Sequence, residues 1–198
     1  MPAVVPAKSV SALEGGERPL ADPEPPIGLV VDVVHEAGDW APLDATSEVV
    51  RAAAAALAAE LAVTRSEACV ALSSDAEVAR LNATYRGKQS ATNVLSFPAG
   101  PAPAGGGDVR QLGDLVLAAE TVTSEAAELG LPFEHHLQHL VVHGLLHLLG
   151  YDHEMDAEAE KMEALEARIL ARVGIDNPYA AAGEPLNSRR QQPDLPKS

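Results

Sequence analysis

Apolar positions along the chain recur with two different periods. Ile27–Val34 is a run dominated by β-branched residues, the pattern of a buried strand. Ala68–Leu72, Val94–Phe97 and Leu112–Ala118 are shorter apolar runs and predict three more strands. Elsewhere the period is helical. Val50, Ala54, Leu57 and Leu61 share one face of a helix over about residues 46–61. Ser74 and Glu77 have the spacing of a capping box, and Val78, Leu81 and Tyr85 follow on one face. After the fourth strand a helix runs to about Leu129, where Gly130 and Pro132 stop it. A longer helix spans Phe133–Leu149 and ends at Gly150, and Met155, Met162, Leu165, Ile169 and Val173 mark a last one.

Pro98 breaks the third strand, and Pro98–Gly107 reads as a mobile loop. Pairing of the third and fourth strands would make a hairpin with a long connection. Strands and helices do not alternate strictly, so the predicted class is α+β. The expected architecture is a small mixed β-sheet of about four strands packed with several helices, in a single domain over residues 27–179. Residues 1–26 and 180–198 are rich in proline and polar residues and read as a disordered N-terminal extension and C-terminal tail.

Composition adjusts this picture. The chain has 198 residues, 46% of them apolar but only 3% aromatic, so the core must be aliphatic and rich in alanine. No apolar run approaches the length of about 18 residues that a membrane helix needs, and no membrane partner is expected. The one cysteine, Cys69, has no internal disulfide partner and reads as a small buried residue. The N-terminal stretch lacks a compact apolar segment of the secretory kind, and a cytoplasmic location is expected. The formal net charge of −15 excludes a general nucleic-acid coat and predicts no DNA partner.

Five of the seven histidines lie between His135 and His147. His143 and His147 are four residues apart, so they project from one helix face about 6 Å apart along the axis and can converge on one ion. His139 also precedes His143 by four, but His139 and His147 are separated by about 12 Å, too far for a straight helix to supply all three to one zinc. A glycine just past a helix readily adopts the left-handed conformation that reverses the chain. Gly150 therefore makes His153 the natural third ligand, with Tyr151 and Asp152 in the turn. Three histidines leave a position open for water, whose pKa zinc lowers to about 7. His139 reads as a histidine that packs beside the site, and His35, His135 and His136 as ordinary surface or core residues.

The order His143-x3-His147-x2-Gly150-x2-His153 matches the ligand and glycine positions of the metzincin zinc peptidases. Those enzymes need a glutamate directly after the first histidine as general base, and here that position is Gly144. The segment His143-Gly144-Leu145-Leu146-His147-Leu148-Leu149-Gly150-Tyr151-Asp152-His153 instead resembles the signature of the YbeY family of bacterial metal-dependent endoribonucleases. Leu81–Lys88, Thr92–Pro98 and Leu112-Gly113-Asp114-Leu115-Val116 agree with the same family, in the same order, and the resemblance covers roughly residues 28–179. Gln89 stands where the family often has aspartate and is assigned no catalytic role; Asn93 stands where many members have aspartate.

The resemblance implies one Zn²⁺ per chain on His143, His147 and His153, and an active-site arginine at Arg86. It implies cleavage of a phosphodiester by metal-activated water in ribosomal RNA processing, at small-subunit 3′-end maturation and in ribosome quality control. Its implied partners are a ribosomal RNA precursor and the small ribosomal subunit with its proteins. Arg86 suits a phosphate because guanidinium offers planar paired donors and keeps its charge. The general base stays open: Asp152, His139 and Asp114 are candidates to act as base or to support a ligand imidazole. An assembly factor with little intrinsic nuclease activity, and a metzincin-like peptidase, are the alternative readings. Finally, charge is uneven. Seven acids between Asp152 and Arg168, Glu166 among them, read as a solvated helix face, whereas residues 80–93 hold Arg80, Arg86 and Lys88 with no acid. Arg80 and Lys88 are therefore candidates to contact RNA.

Overall fold

The computed structural model describes residues 28–100, 109–152 and 155–180. Most of the predicted terminal segments, most of the Pro98–Gly107 loop, and His153 lie outside the described residues. In chain order the elements are β1 (Leu29–His35), α1 (Leu43–Leu61), β2 (Ser66–Ser73), α2 (Asp75–Arg86), β3 (Val94–Pro98), β4 (Arg110–Ala118), α3 (Ala119–Leu129), α4 (Phe133–Leu148) and α5 (Asp156–Ala171). The strands form one sheet in the order β1-β2-β4-β3. β1, β2 and β4 run parallel, and β3 returns antiparallel on β4, the predicted hairpin. The α+β class and the four-stranded mixed sheet are as the pattern of runs predicts. Among the described residues no helix is long and apolar enough to cross a membrane.

Alternation along the strands decides which face each helix covers. Ala68, Val70 and Leu72 of β2 and Leu115 and Leu117 of β4 enter the main core with Val50 and Leu57 of α1, Leu137, Val141 and Leu145 of α4, and Leu165 and Ile169 of α5. The opposite face carries a smaller cluster, Ala71, Val78, Leu95, Val116 and Ala118, under α2. Among the described residues no helix covers the rest of that face. β1 differs from expectation for this reason: it is an edge strand, only Val31 is buried, and Val30 and Val34 are exposed. Cys69 also points to the open face and is half-buried rather than buried. Burial, and then Asp114 and Asp32 nearby, push its thiol pKa up.

The helix ends are tied across elements. The Ser74 hydroxyl accepts from the Glu77 N–H at 3.5 Å, as the capping spacing predicts. The residue before α3, Ala118, has no capping side chain, and Asp75 of α2 supplies one, accepting from the Thr121 N–H at 2.9 Å and hydroxyl at 2.8 Å. Glu120 returns a bond from the Asp75 N–H at 2.8 Å.

α4 is the central helix. Between residues 135 and 148 every position is buried except His135, His139, His143 and His147. The fourfold spacing thus forms one stripe, and that stripe alone reaches solvent along these turns. On the side facing the sheet, Gly144 lets α4 approach β4. A Cβ there would lie 2.8 Å from Leu115 Cδ2 and 3.0 Å from its Cδ1. The Ser96 hydroxyl of β3 donates to the Gly144 carbonyl at 3.4 Å.

Candidate metal centre

The turn after α4 is built by Gly150, at φ +93°. Its N–H donates to the His147 carbonyl at 3.0 Å, and the Tyr151 N–H reaches the Leu146 carbonyl at 3.0 Å. This is the left-handed glycine ending that the sequence predicts. It has a direct chemical result: the reversed chain sets the Tyr151 carbonyl 3.0 Å from His147 Nδ1. A carbonyl only accepts, so Nδ1 carries the proton and Nε2 presents its lone pair.

His143 is held in the same tautomer by a different element. Its Nδ1 lies 2.7 Å from Oε1 of Glu166 on α5. The two Nε2 atoms then come within 3.1 Å of each other, on rings 4.6 Å apart and almost perpendicular at 83°. One zinc bonded to both at about 2.0–2.1 Å with tetrahedral angles requires nitrogens about 3.3 Å apart. Two imidazoles with backed Nδ1 atoms and converging Nε2 atoms fit that ion. Among the described residues no third histidine, cysteine or carboxylate completes a metal-holding group. The predicted third ligand, His153, lies outside the described residues, and Asp152 is exposed in the segment leading to it.

His139 does not join the pair. Its Nε2 is engaged by Glu166 Oε2 at 3.4 Å and by the Tyr179 hydroxyl at 3.1 Å. It packs edge-on against Tyr179, with ring centroids 5.8 Å apart. Glu166 thus collects His139, His143 and the Tyr179 hydroxyl, and it is 1% exposed. Burial pushes its pKa up, but the bonds from His139, His143 and Tyr179 outweigh that and hold it down at about 2. Burial and the Glu166 carboxylate push the Tyr179 phenol well up, so it stays a donor.

The placement of Glu166 corrects its reading as one of the solvated acids of the last helix. The signal that could have found it is periodic. Glu166 lies four residues after Met162 and four before Leu170, both core residues, and so belongs to the buried face. Tyr179, beyond the last helix, carries no comparable signal.

The remaining candidates sit elsewhere. Asp114 pairs with Cys69 and Phe97 across the sheet, on the face away from α4, because Leu115 beside it faces Gly144. The sheet therefore separates Asp114 from the histidines. Arg86 is exposed in the last turn of α2, and Gly87 at φ +70° ends that helix. The buried Asn82 shapes the next turn, donating to the Ser90 carbonyl at 2.7 Å. Tyr85 packs on Phe97 of β3 at 5.2 Å, so edge strand β3 lies between the arginine-bearing helix and α4. No hydrogen bond or ion pair among the described residues joins Arg86 to the histidines. Arg80 is neutralised by Glu77 at 2.9 Å, which lies just outside the acid-free stretch. Arg86 and Lys88 are left as the exposed cations of that patch. His136, read as ordinary, is buried and bonded through Nε2 to Glu125 at 2.8 Å.

Comparison with known proteins gives the family. The family model described as Endoribonuclease YbeY matches residues 36–174. The chain is 49% identical over 162 residues to the Endoribonuclease YbeY of Parvibaculum lavamentivorans, covering 78% of this chain and 86% of the relative. It is 48% identical over 159 residues to the Endoribonuclease YbeY of Sinorhizobium medicae, covering 76% and 95%. The solution structure of TM1509 from Thermotoga maritima aligns with a TM-score of 0.47 at 25% identity, covering 73% of this chain and 92% of that one.

Proposed function

This chain belongs to the YbeY endoribonuclease family, and on that premise we propose that it is a zinc-dependent endoribonuclease. Its proposed substrate is a ribosomal RNA precursor, cut during small-subunit 3′-end maturation and ribosome quality control in the cytoplasm. The observation that carries the metal reading is the 3.1 Å approach of His143 Nε2 to His147 Nε2, with both Nδ1 atoms bonded from behind. Held by His143, His147 and His153, one zinc would supply Lewis acidity toward the phosphoryl oxygen and a water acidic enough to ionise near neutral pH.

The chain's own residues do the rest. Glu166 and the Tyr151 carbonyl keep the two imidazoles in the ligand tautomer, so no reorientation is needed when substrate arrives. Arg86 neutralises the phosphate, with Lys88 beside it, from across strand β3. Asp152, next to His153, is the proposed proton acceptor, since the sheet keeps Asp114 away. The peptidase alternative loses support from Gly144. Its Cα faces Leu115, so a glutamate there would meet the core.

A net charge of −15, with Arg86 and Lys88 as a small cationic patch among the described residues, favours placement by the small ribosomal subunit and its proteins over tight capture of free RNA. The test is cleavage of a small-subunit precursor RNA by the purified full chain, beside His143→Ala. Cutting that the substitution abolishes is expected. Equal cutting by both would overturn the site, and no cutting by either would favour an assembly factor without nuclease activity.

A further inference from the structure

A cleft of about 800 Å³ opens beside His143 and follows the histidine stripe toward the first turn of α4. Leu129, Leu131, Leu140, Leu170 and Ile175 form its apolar wall, with histidines and the polar Asp176 and Asn177 beside them, and among the described residues no lysine or arginine lines it to hold a phosphate. Glu125 of α3 lines the cleft, a carboxylate fixed from two sides. Asn93 Nδ2 donates to its two oxygens at 3.2 and 3.0 Å, and His136 Nε2 bonds Oε2 at 2.8 Å. Asn93 is itself anchored by hydrogen bonds, and His136 is held by burial. Asn93 Oδ1 accepts from the Val94 N–H at 2.7 Å, and its carbonyl accepts from the Ala118 N–H. His136 is 5% exposed. The Glu125 side chain nevertheless stays 34% exposed, and a carboxylate has lone pairs beyond those three bonds.

A fixed carboxylate acceptor beside an apolar wall, in a cleft that no lysine or arginine lines among the described residues, calls for a flat, neutral ligand edge that carries N–H donors. Of the four RNA bases, only guanine offers two adjacent donors on one edge, N1–H and the N2 amino group. Adenine, cytosine and uracil each place at least one acceptor directly beside their donor, and its lone pair repels a carboxylate. His139 and Tyr179, packed edge-to-face on each other, both line the cleft, and single-stranded RNA is commonly held against aromatic and imidazole rings. His136 lies seven residues before His143, about 10 Å along the helix, so a base at Glu125 belongs to a nucleotide close to the cut phosphate. We propose that this cleft is a guanine-selective base pocket, with Glu125 as its reading residue and Asn93 and His136 as positioning residues. The proposal rests on the ribonuclease reading for its substrate class, but not for its test.

The test is equilibrium binding of the four nucleoside 5′-monophosphates, and of inosine 5′-monophosphate, to the full chain. The phosphate is common to all and cancels in the comparison. Guanosine monophosphate should bind at least roughly tenfold tighter than the other three, the scale of bonds to a charged partner. Inosine monophosphate, which lacks the N2 amino group, should lose several-fold. Glu125→Gln should erase the preference while melting as the wild type does. Equal affinities across the set, or a preference that survives Glu125→Gln, would overturn the pocket. The inosine comparison decides the matter on the wild-type chain even if the variant fails to fold. Guanine preference without RNA cleavage would remove the enzyme reading alone. Cleavage without guanine preference would remove the pocket alone.

Discussion

His143 Nδ1 lies 2.7 Å from Glu166 Oε1, and Glu166 is a carboxylate with 1% exposure, 23 residues downstream on another helix. The bond fixes which nitrogen of His143 faces His147. Replacing Glu166 by Gln keeps the volume but weakens the acceptor and lets the ring rotate. Zinc affinity should fall about 10- to 100-fold, measured by competition with a chromogenic chelator. Unchanged affinity would make Glu166 a merely structural residue.

The same carboxylate makes the metal-free fold sensitive to acid. Its pKa is held at about 2, below its ordinary 4.5. A depressed carboxylate contributes stability that is complete above its unfolded value and is lost as pH falls through its folded value. Stability of the metal-free chain should therefore decline between about pH 4.5 and pH 2. Urea titrations across that window should show a shallower decline in Glu166→Gln, and an identical slope would contradict the assignment.

Gly144 separates this site from a zinc peptidase. A Cβ at that position already meets Leu115 at 2.8 Å, so Gly144→Glu must force a carboxylate against the core. The cost should be about 3 kcal/mol or more by urea denaturation. The variant should show no cutting in a peptide-library digest, despite the restored glutamate.

Arg86 is exposed and makes no bond to the histidine pair. Arg86→Ala should leave zinc content intact and stability within about 0.5 kcal/mol. RNA cleavage should nevertheless fall about 10²- to 10³-fold, the scale of losing one group that stabilises developing charge. Full activity would remove Arg86 from the mechanism.

Much of this molecule is legible because the controlling interactions are local. The spacing of His143 and His147 is a property of one helix, and the turn at Gly150 follows from one residue's freedom at positive φ. Partnerships made across the fold are less legible. Glu166 sits among charged neighbours in sequence, and only its offset from Met162 and Leu170 betrays its burial. β1 has the apolar content of a central strand, yet the topology leaves it at the edge with one face open. Arg80 looks cationic within residues 80–93 because its partner, Glu77, stands just before them. Asp114 looks catalytic beside a glycine until the pleat turns it away from α4.

The central claim is that RNA cleavage depends on one metal ion at the His143–His147 pair. Stripping the full chain of metal, adding zinc back in stepwise equivalents, and following cleavage of a small-subunit precursor RNA tests it most directly. Activity should be absent in the stripped chain and rise to its maximum at one zinc per chain. Full cleavage by the metal-free protein would contradict the account.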